Sequence, residues 1–291
     1  MMLHKIYCLF LVFVGFQMNA QIKGTVIDEF GNPIPYVNIW VDGESNGTTS
    51  NEDGSFIINS TKNKVLVFSA VGFETKRTTL NNGDKIILVS KIHKLNEVVI
   101  GKLKFTKNVE IGEAKKKRSN FFSGDEPWIY AKRFQFEESF VETPFIKSII
   151  FFTDSEKRGA KIKIRLFEFD NSIPTDDLLN EDIVVSVNKG MSKNVIDVSK
   201  YKLKIPKNGV VVGLEWLIID ENKFQIDNLG TDDEKFRYSY APSLIINYSD
   251  EENAFSYRNG AWEKAKKYDL KTNDPWNNKI LTPAINLIIT N

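Results

Sequence analysis

Between Ile22 and Phe73 every apolar run is soon interrupted by Gly, Pro, Asn or Asp, and this punctuation constrains the fold more than any other feature. The interruptions recur at roughly ten-residue intervals, the spacing of short strands joined by tight turns, so the stretch predicts a small antiparallel β-sandwich. Gly24 to Ile27 opens a strand, and Asp28-Glu29-Phe30-Gly31-Asn32-Pro33 closes it with turn chemistry. In the next strand Val37, Ile39 and Val41 alternate with Asn38, Trp40 and Asp42. That alternation predicts one buried face and one face that is polar apart from Trp40. Asn46-Gly47 and Asp53-Gly54 tolerate positive φ and mark tight turns, and residues 55–59, 65–71, 76–80 and 85–92 supply further strands.

Residues 1–20 read as a secretory signal. His4 and Lys5 form a short polar region, an apolar stretch follows over 6–16, and Met18-Asn19-Ala20 offers the cleavage boundary. The apolar stretch falls well short of the ~20 residues a spanning helix needs, so no transmembrane span is expected in the mature chain. Cys8, the single cysteine, lies inside the signal, and His93 is the one histidine left after cleavage. That excludes disulfides, thiol chemistry, His-based triads and His–His zinc sites. The 42% hydrophobic and 26% charged content is that of a globular protein of 291 residues, long enough for two domains. A formal net charge of +1 gives no pull toward nucleic acid or anionic membrane.

Residues 101–127 lack strand periodicity and carry the basic run Lys115-Lys116-Lys117-Arg118, so they are expected to be a linker with a solvated face. A second domain is expected over 128–291. Its clearest strand is 161–170, with Ile162, Ile164 and Leu166 on one face and Lys161, Lys163 and Arg165 on the other. Strands are also expected over 128–137, 145–153, 183–187, 195–198, 210–219, 243–248 and 286–290, with 170–177 a turn-rich loop around Pro174. Asn259-Gly260 predicts a two-residue hairpin turn that sets Tyr257 opposite Trp262 and Phe255 opposite Lys264. Many antiparallel strands, no long amphipathic helix and a long mid-domain connection suggest a jelly-roll-like sandwich.

The order Gly24, Val26, Asp28, Gly31, Pro33, Pro35 and Val37, then Gly47-Thr48-Thr49, then Asp53-Gly54 with Phe56, then Val71-Gly72-Phe73, resembles the carboxypeptidase-regulatory-like domain over residues 21–100. The resemblance implies a transthyretin-like seven-stranded sandwich, a non-catalytic accessory fold of exported bacterial proteins. Leu95-Asn96-Glu97-Val98-Val99-Ile100-Gly101 is similar to the segment that joins this module to the plug of TonB-dependent outer-membrane transporters, and reads in preference as a last strand plus linker. Fewer than 200 residues follow it, without the string of amphipathic segments a barrel requires. Arg165-Leu166-Phe167-Glu168, Pro174, Leu178-Leu179, Ile196-Asp197-Val198, Pro206 and Leu214-Glu215-Trp216 are similar to the second domain of exported proteins of this kind.

No phosphate loop, nucleophile elbow or HExxH motif is present, and the chain is expected not to be an enzyme. Glu215, beside Trp216 in an apolar strand, is the carboxylate whose pKa burial would raise, or else one paired with a Lys or Arg. Asp170, Asn171, Asp176 and Asp177 offer oxygen ligands suited to Ca²⁺, but their spacing matches no EF-hand loop, so no cofactor or metal is expected. Trp128, Tyr257, Trp262 and Trp276 are candidates for an aromatic platform under a sugar ring, with core packing as the rival reading. The expectation is an exported binding or structural protein of the periplasm, outer membrane or cell surface. Its partner would be an envelope glycan or an outer-membrane protein, with no nucleic acid involved.

Overall fold

The computed structural model describes residues 21–61, 63–91, 105–115, 119–227, 236–267 and 277–291. The expected signal, His93, the segment 95–101 and Trp276 lie outside the described residues. Among the described residues no helix is long and apolar enough to cross a membrane.

Among the described residues the N-terminal domain has seven strands, β1 (Gln21–Ile27), β2 (Asn38–Val41), β3 (Gly47–Thr49), β4 (Ser55–Asn59), β5 (Val65–Ser69), β6 (Lys76–Thr79) and β7 (Asp84–Ile87). They form a three-stranded sheet, β4-β1-β7, facing a four-stranded sheet, β3-β2-β5-β6. Alternation fixes the core, because Val26, Ile39, Phe56, Ile58, Leu66 and Phe68 point inward while Ile57 and Lys76 point out. At Gly54 (φ +75°) an added Cβ would lie 2.5 Å from the Val26 carbonyl oxygen, so only glycine fits that turn. The sandwich is not wholly antiparallel, since β7 runs parallel to β1 with Gly24 opposite Asp84.

The C-terminal domain continues with β8 (Asn108–Ile111), β9 (Asn120–Phe121), β10 (Ile129–Phe134), β11 (Phe145–Ser155), β12 (Ala160–Asp170), β13 (Ile173–Asp177), β14 (Ile183–Val187) and β15 (Gly190–Asp197). After these come β16 (Val210–Trp216), β17 (Lys223–Asp227), β18 (Phe236–Tyr240), β19 (Ser243–Ser249), β20 (Ala254–Arg258), β21 (Ala261–Lys264), β22 (Ile280–Pro283) and β23 (Ile285–Thr290). Two seven-stranded sheets make the sandwich. The first has the order β13-β12-β16-β10-β20-β21, with β14 also on β12; the second has the order β22-β19-β11-β23-β8, with β15 on β11 and β9 on β19. The chain crosses from one sheet to the other between β9 and β10, β10 and β11, β11 and β12, β14 and β15, β15 and β16, β16 and β19 (by way of β17 and β18), β19 and β20, and β21 and β22, a jelly-roll-like path. Tyr130, Phe151, Ile162, Ile164, Leu166, Val212, Leu214 and Leu287 fill the space between the sheets.

Two expectations are corrected here. The stretch 101–127 is not purely a linker, because Asn108–Ile111 pairs with β23 and Asn120–Phe121 with β19, extending the second sheet. The loop expected around Pro174 folds back as β13, turning through Asn171 and Ser172 at positive φ and pairing Pro174 with Phe169. Proline is tolerated there because β13 lies at the end of its sheet.

Candidate functional site

The outer face of β2 and most of the basic face of β12 are withdrawn from solvent at the boundary between the two domains. Asn38 and Trp40 are buried, so all four residues of β2 are enclosed. Lys163 is 1% exposed and Glu215 0%. A charge withdrawn from water that far needs a partner, since the cost of leaving it unpaired is several kcal/mol. The seam supplies partners for both charges, while Asn38 Oδ1 and Trp40 Nε1 beside them are buried without a hydrogen bond. Lys163 Nζ donates to the Tyr36 carbonyl oxygen at 2.8 Å and lies 3.1 Å from Asp182. Arg165 grips Asp177 with two nitrogens, at 2.9 and 2.5 Å, and reaches Glu215 at 3.5 Å. Glu215 accepts a hydrogen bond from the Asn38 side chain of the other domain.

Around this ionic centre the backbone of Ile218 donates to Thr49 Oγ1 at 3.0 Å, and Tyr36 packs on Leu217, Ile219 and Val184. Tyr36 takes the left-handed conformation (φ +56°), a strained geometry for a bulky residue. The turn it makes aims its carbonyl at Lys163 while its hydroxyl donates to Glu52 at 2.8 Å. Lys161, on the same face, pairs with Glu52, which raises its pKa against a lowering contribution from burial. Burial disfavours the charged Arg165, yet Asp177 and Glu215 together outweigh it and hold its pKa above the ordinary value. Burial likewise pushes Asp182 up, opposed by Lys163 and reinforced by the Glu215 charge.

Beside the seam the two domains leave a cleft of about 170 Å³. Ser69, Gly72, Phe73, Thr75 and Lys91 line it from the N-terminal domain. Arg165, Phe167, Asp176, Asp177, Tyr257 and Trp262 line it from the C-terminal domain. The Asn259-Gly260 turn, with φ of 51° and 79°, sets Tyr257 opposite Trp262 in the register read from sequence. Their ring centroids are 5.2 Å apart, and Trp262 leans edge-on against Phe167 at 5.0 Å. Burial pushes the Tyr257 phenol above its usual range, offset in part by the nearby Arg165, so it stays protonated at neutral pH and can both donate and accept. Lys91 closes the rim by an ion pair to Asp176 at 2.6 Å. At Gly72 (φ +81°) a Cβ would stand 2.6 Å from the Asn180 carbonyl oxygen, so a glycine there lets the domains approach.

Of the four aromatic candidates the cleft unites Tyr257 and Trp262. Trp128 is corrected: it is 5% exposed, stacked on Trp216 at 4.3 Å, capped by the Arg258 guanidinium at 3.8 Å, and donates to the Ser123 carbonyl oxygen at 2.9 Å. It is a packing residue. Trp276 lies outside the described residues. Glu215 belongs to the seam, and of the oxygen donors considered for Ca²⁺, Asp176 and Asp177 are engaged by Lys91 and Arg165. Among the described residues no group of three or more His, Cys, Asp or Glu is placed to hold a metal. Sequence reading missed Lys163, Arg165 and Asn38, because a strand alternating Lys-Ile-Lys-Ile-Arg-Leu reads as half solvated whenever its partner face is unknown. The one trace was Trp40, an aromatic on a face otherwise polar.

Residues 22–100 match the family described as the CarboxypepD_reg-like domain. The TonB-dependent receptor P39 of Formosa agariphila is 33% identical over 102 residues, 32% of this chain and 10% of the receptor. The TonB-dependent receptor SusC of Bacteroides thetaiotaomicron is 28% identical over 92 residues, 32% of this chain and 9% of the receptor. The chain thus matches about a tenth of the length of these relatives. Among solved structures, the clostridial cysteine protease Cwp84 after propeptide cleavage aligns with 84% of this chain and 51% of its own, at a TM-score of 0.39 and 11% identity, too distant to carry an argument. What the sequence order of glycines, prolines and strands pointed to, the family match bears out: the N-terminal seven-stranded sandwich of this chain is a CarboxypepD_reg-like domain.

Proposed function

We propose that this chain is a non-catalytic binding protein of the bacterial envelope, and that its ligand sits in the cleft between the two sandwiches. The observation that carries the reading is the shared lining: Phe73 and Thr75 face Tyr257 and Trp262 across a gap that neither domain has alone. A cleft with aromatic walls and a few convergent polar groups, at a boundary between domains, is where ligands are most often held. Against catalysis, the carboxylates lining the cleft are paired with cations, Asp177 with Arg165 and Asp176 with Lys91, an arrangement that favours rigidity over proton transfer. The occurrence of the N-terminal domain's sequence in TonB-dependent receptors supports a location in the periplasm, at the outer membrane or at the cell surface. The test is to incubate purified protein with fractionated envelope extract and follow tryptophan fluorescence. A saturable change that is lost in Trp262→Ala supports the reading. Hydrolysis of polysaccharide or peptide that disappears in Glu215→Gln overturns it.

A second reading, an accessory subunit of an outer-membrane transport complex, draws on the same receptor matches and on β6, an end strand of its sheet with Lys76, Arg77 and Thr79 exposed. Such an edge can add a partner's strand. Pull-down from detergent-solubilised envelopes distinguishes the two, because a subunit brings a large membrane protein with it and a free binding protein stays in the soluble fraction.

A further inference from the structure

Resting on the reading that the cleft is the ligand site, we infer that its ligand is a single uncharged sugar ring, laid against Trp262 and Tyr257 and hydrogen-bonded along the polar rim. Three observations converge on that class.

The first is charge. Arg165 and Lys91 bring two positive charges to the cleft, and Asp177 and Asp176 two negative ones, already joined as pairs at 2.5–2.9 Å and 2.6 Å. An anionic ligand has to pull Asp177 off Arg165, and a cationic one has to pull Arg165 off Asp177. Breaking a two-pronged pair inside a buried seam is costly in either direction. A neutral ligand keeps both pairs. It still finds acceptors, because each carboxylate oxygen has two lone pairs and a pair with a cation uses one of them.

The second is the wall. Tyr257 and Trp262 are half-buried, and Phe167 packs the tryptophan edge-on, so the rings keep their tilt without a ligand. A saturated ring with C–H groups on one face and hydroxyls at its edge matches an aromatic wall flanked by Ser69, Thr75 and Thr175. A purely apolar ligand would strand those hydroxyls and carboxylates without water.

The third is size. At about 30 Å³ per water, 170 Å³ has room for about six waters, so the part of a ligand that the cleft itself encloses is about one substituted six-membered ring.

The experiment is calorimetric titration of the full chain with methyl glucopyranoside, N-acetylglucosamine, galactose, glucuronate, glucosamine and the neutral peptide trialanine. At least one neutral sugar should bind saturably, with glucuronate and glucosamine at least tenfold weaker than the neutral sugar of the same ring. Trp262→Ala should weaken that sugar about tenfold or more, in line with an aromatic contact of about 1.5 kcal/mol and 1.4 kcal/mol per tenfold. Trp262→Phe should recover part of the loss, which also covers the case in which the alanine variant misfolds. No binding by any neutral sugar, or tighter binding by a charged analogue, overturns the inference. If trialanine binds instead and Trp262→Ala abolishes it, the cleft stands as the ligand site and the sugar does not. If a sugar binds with equal affinity to the wild type, Trp262→Ala and Lys91→Ala, the cleft and the sugar ring fall together.

Discussion

The sheet that contains β10, β12 and β16 is buried on both faces, and the two faces hold their partners by different means. On the inner face, Tyr130, Ile162, Ile164, Leu166, Val212 and Leu214 meet the second sheet through apolar side chains. On the outer face, Lys163 and Glu215 meet the CarboxypepD_reg-like domain by hydrogen bonds to Tyr36 and Asn38, Lys161 by an ion pair to Glu52, and Leu217 and Ile219 by packing on Tyr36, while Arg165 holds Asp177 and Glu215 of its own domain in place. Apolar burial is strong and tolerant of direction, contributing about 25 cal/mol per Å² whatever the orientation of the partner. Paired buried charges add little net stability but penalise any arrangement that leaves one of them alone. The inner face thus keeps the C-terminal domain folded, and the outer face fixes how the N-terminal domain sits, which is what shapes the cleft.

The largest expected effect is on the inner face. Trp216 is fully buried, stacks on Trp128 and donates to the Pro242 carbonyl oxygen at 2.6 Å. Trp216→Ala should cost about 3–5 kcal/mol in denaturant unfolding, by lost burial and by the cavity it leaves. A cost below ~1 kcal/mol would mean that this face is not the main source of stability. Next comes the seam. Glu215→Ala leaves Asn38 without its acceptor and Arg165 with one carboxylate, at an expected cost of about 3 kcal/mol. The contrast between the faces sharpens with the triple replacement Arg165→Met, Asp177→Leu and Glu215→Leu. It should be less destabilising than Glu215→Ala alone, because no charge is left stranded. No grouped substitution on the inner face can regain what Trp216→Ala removes in that way.

The asymmetry also explains how much of the molecule could be read from its sequence. The inner face obeys alternation, so the strands ending at Asp170, Val187, Thr290 and Arg258 were visible, as was the Tyr257–Trp262 pairing set by Asn259-Gly260. The N-terminal domain was visible through its turn residues. The outer face breaks the rule that a polar face is a wet one, so Lys163 and Arg165 read only as the polar side of a strand, and Trp40 as the one aromatic on a polar face. Short strands that pair with distant partners were missed: β8 alternates Asn108 and Glu110 with Val109 and Ile111 over four residues, too brief a pattern to mark a strand until Leu287 to Thr290 offers it an edge. The cleft was half legible, since the hairpin brings two of its walls and only the docking of the domains brings the third.

A smaller effect separates the faces by pH. Asp182, beside Lys163 in the seam, has its pKa raised chiefly by burial. The folded protein therefore binds a proton more readily than the unfolded chain. The stability this contributes is complete below the ordinary Asp value of about 3.9 and is lost as pH rises through the raised folded value. Urea unfolding across that window should show the wild type losing stability relative to Asp182→Asn as pH increases. A parallel pair of curves would remove Asp182 from the titrating part of the seam. On the inner face the apolar Ile162, Ile164 and Leu166 do not titrate, and buried Lys132, whose pKa burial lowers, acts on the alkaline side instead.

The smallest expected effect on stability falls where binding is expected to suffer most. Trp262 faces Tyr257 across the β20–β21 hairpin, near the open side of the sheet, and a cross-strand aromatic pair contributes about 0.2–1 kcal/mol. Trp262→Ala should therefore lower unfolding stability by less than ~1 kcal/mol, while Trp216→Ala, an identical chemical change one layer deeper, costs several times more. If the Trp262 variant loses as much stability as the Trp216 variant, Trp262 is a core residue and the division of labour between the faces fails. If it loses little stability and a cleft ligand still loses its affinity, the outer face does what its chemistry suggests: it holds two domains in one register and leaves an aromatic wall for something else to touch.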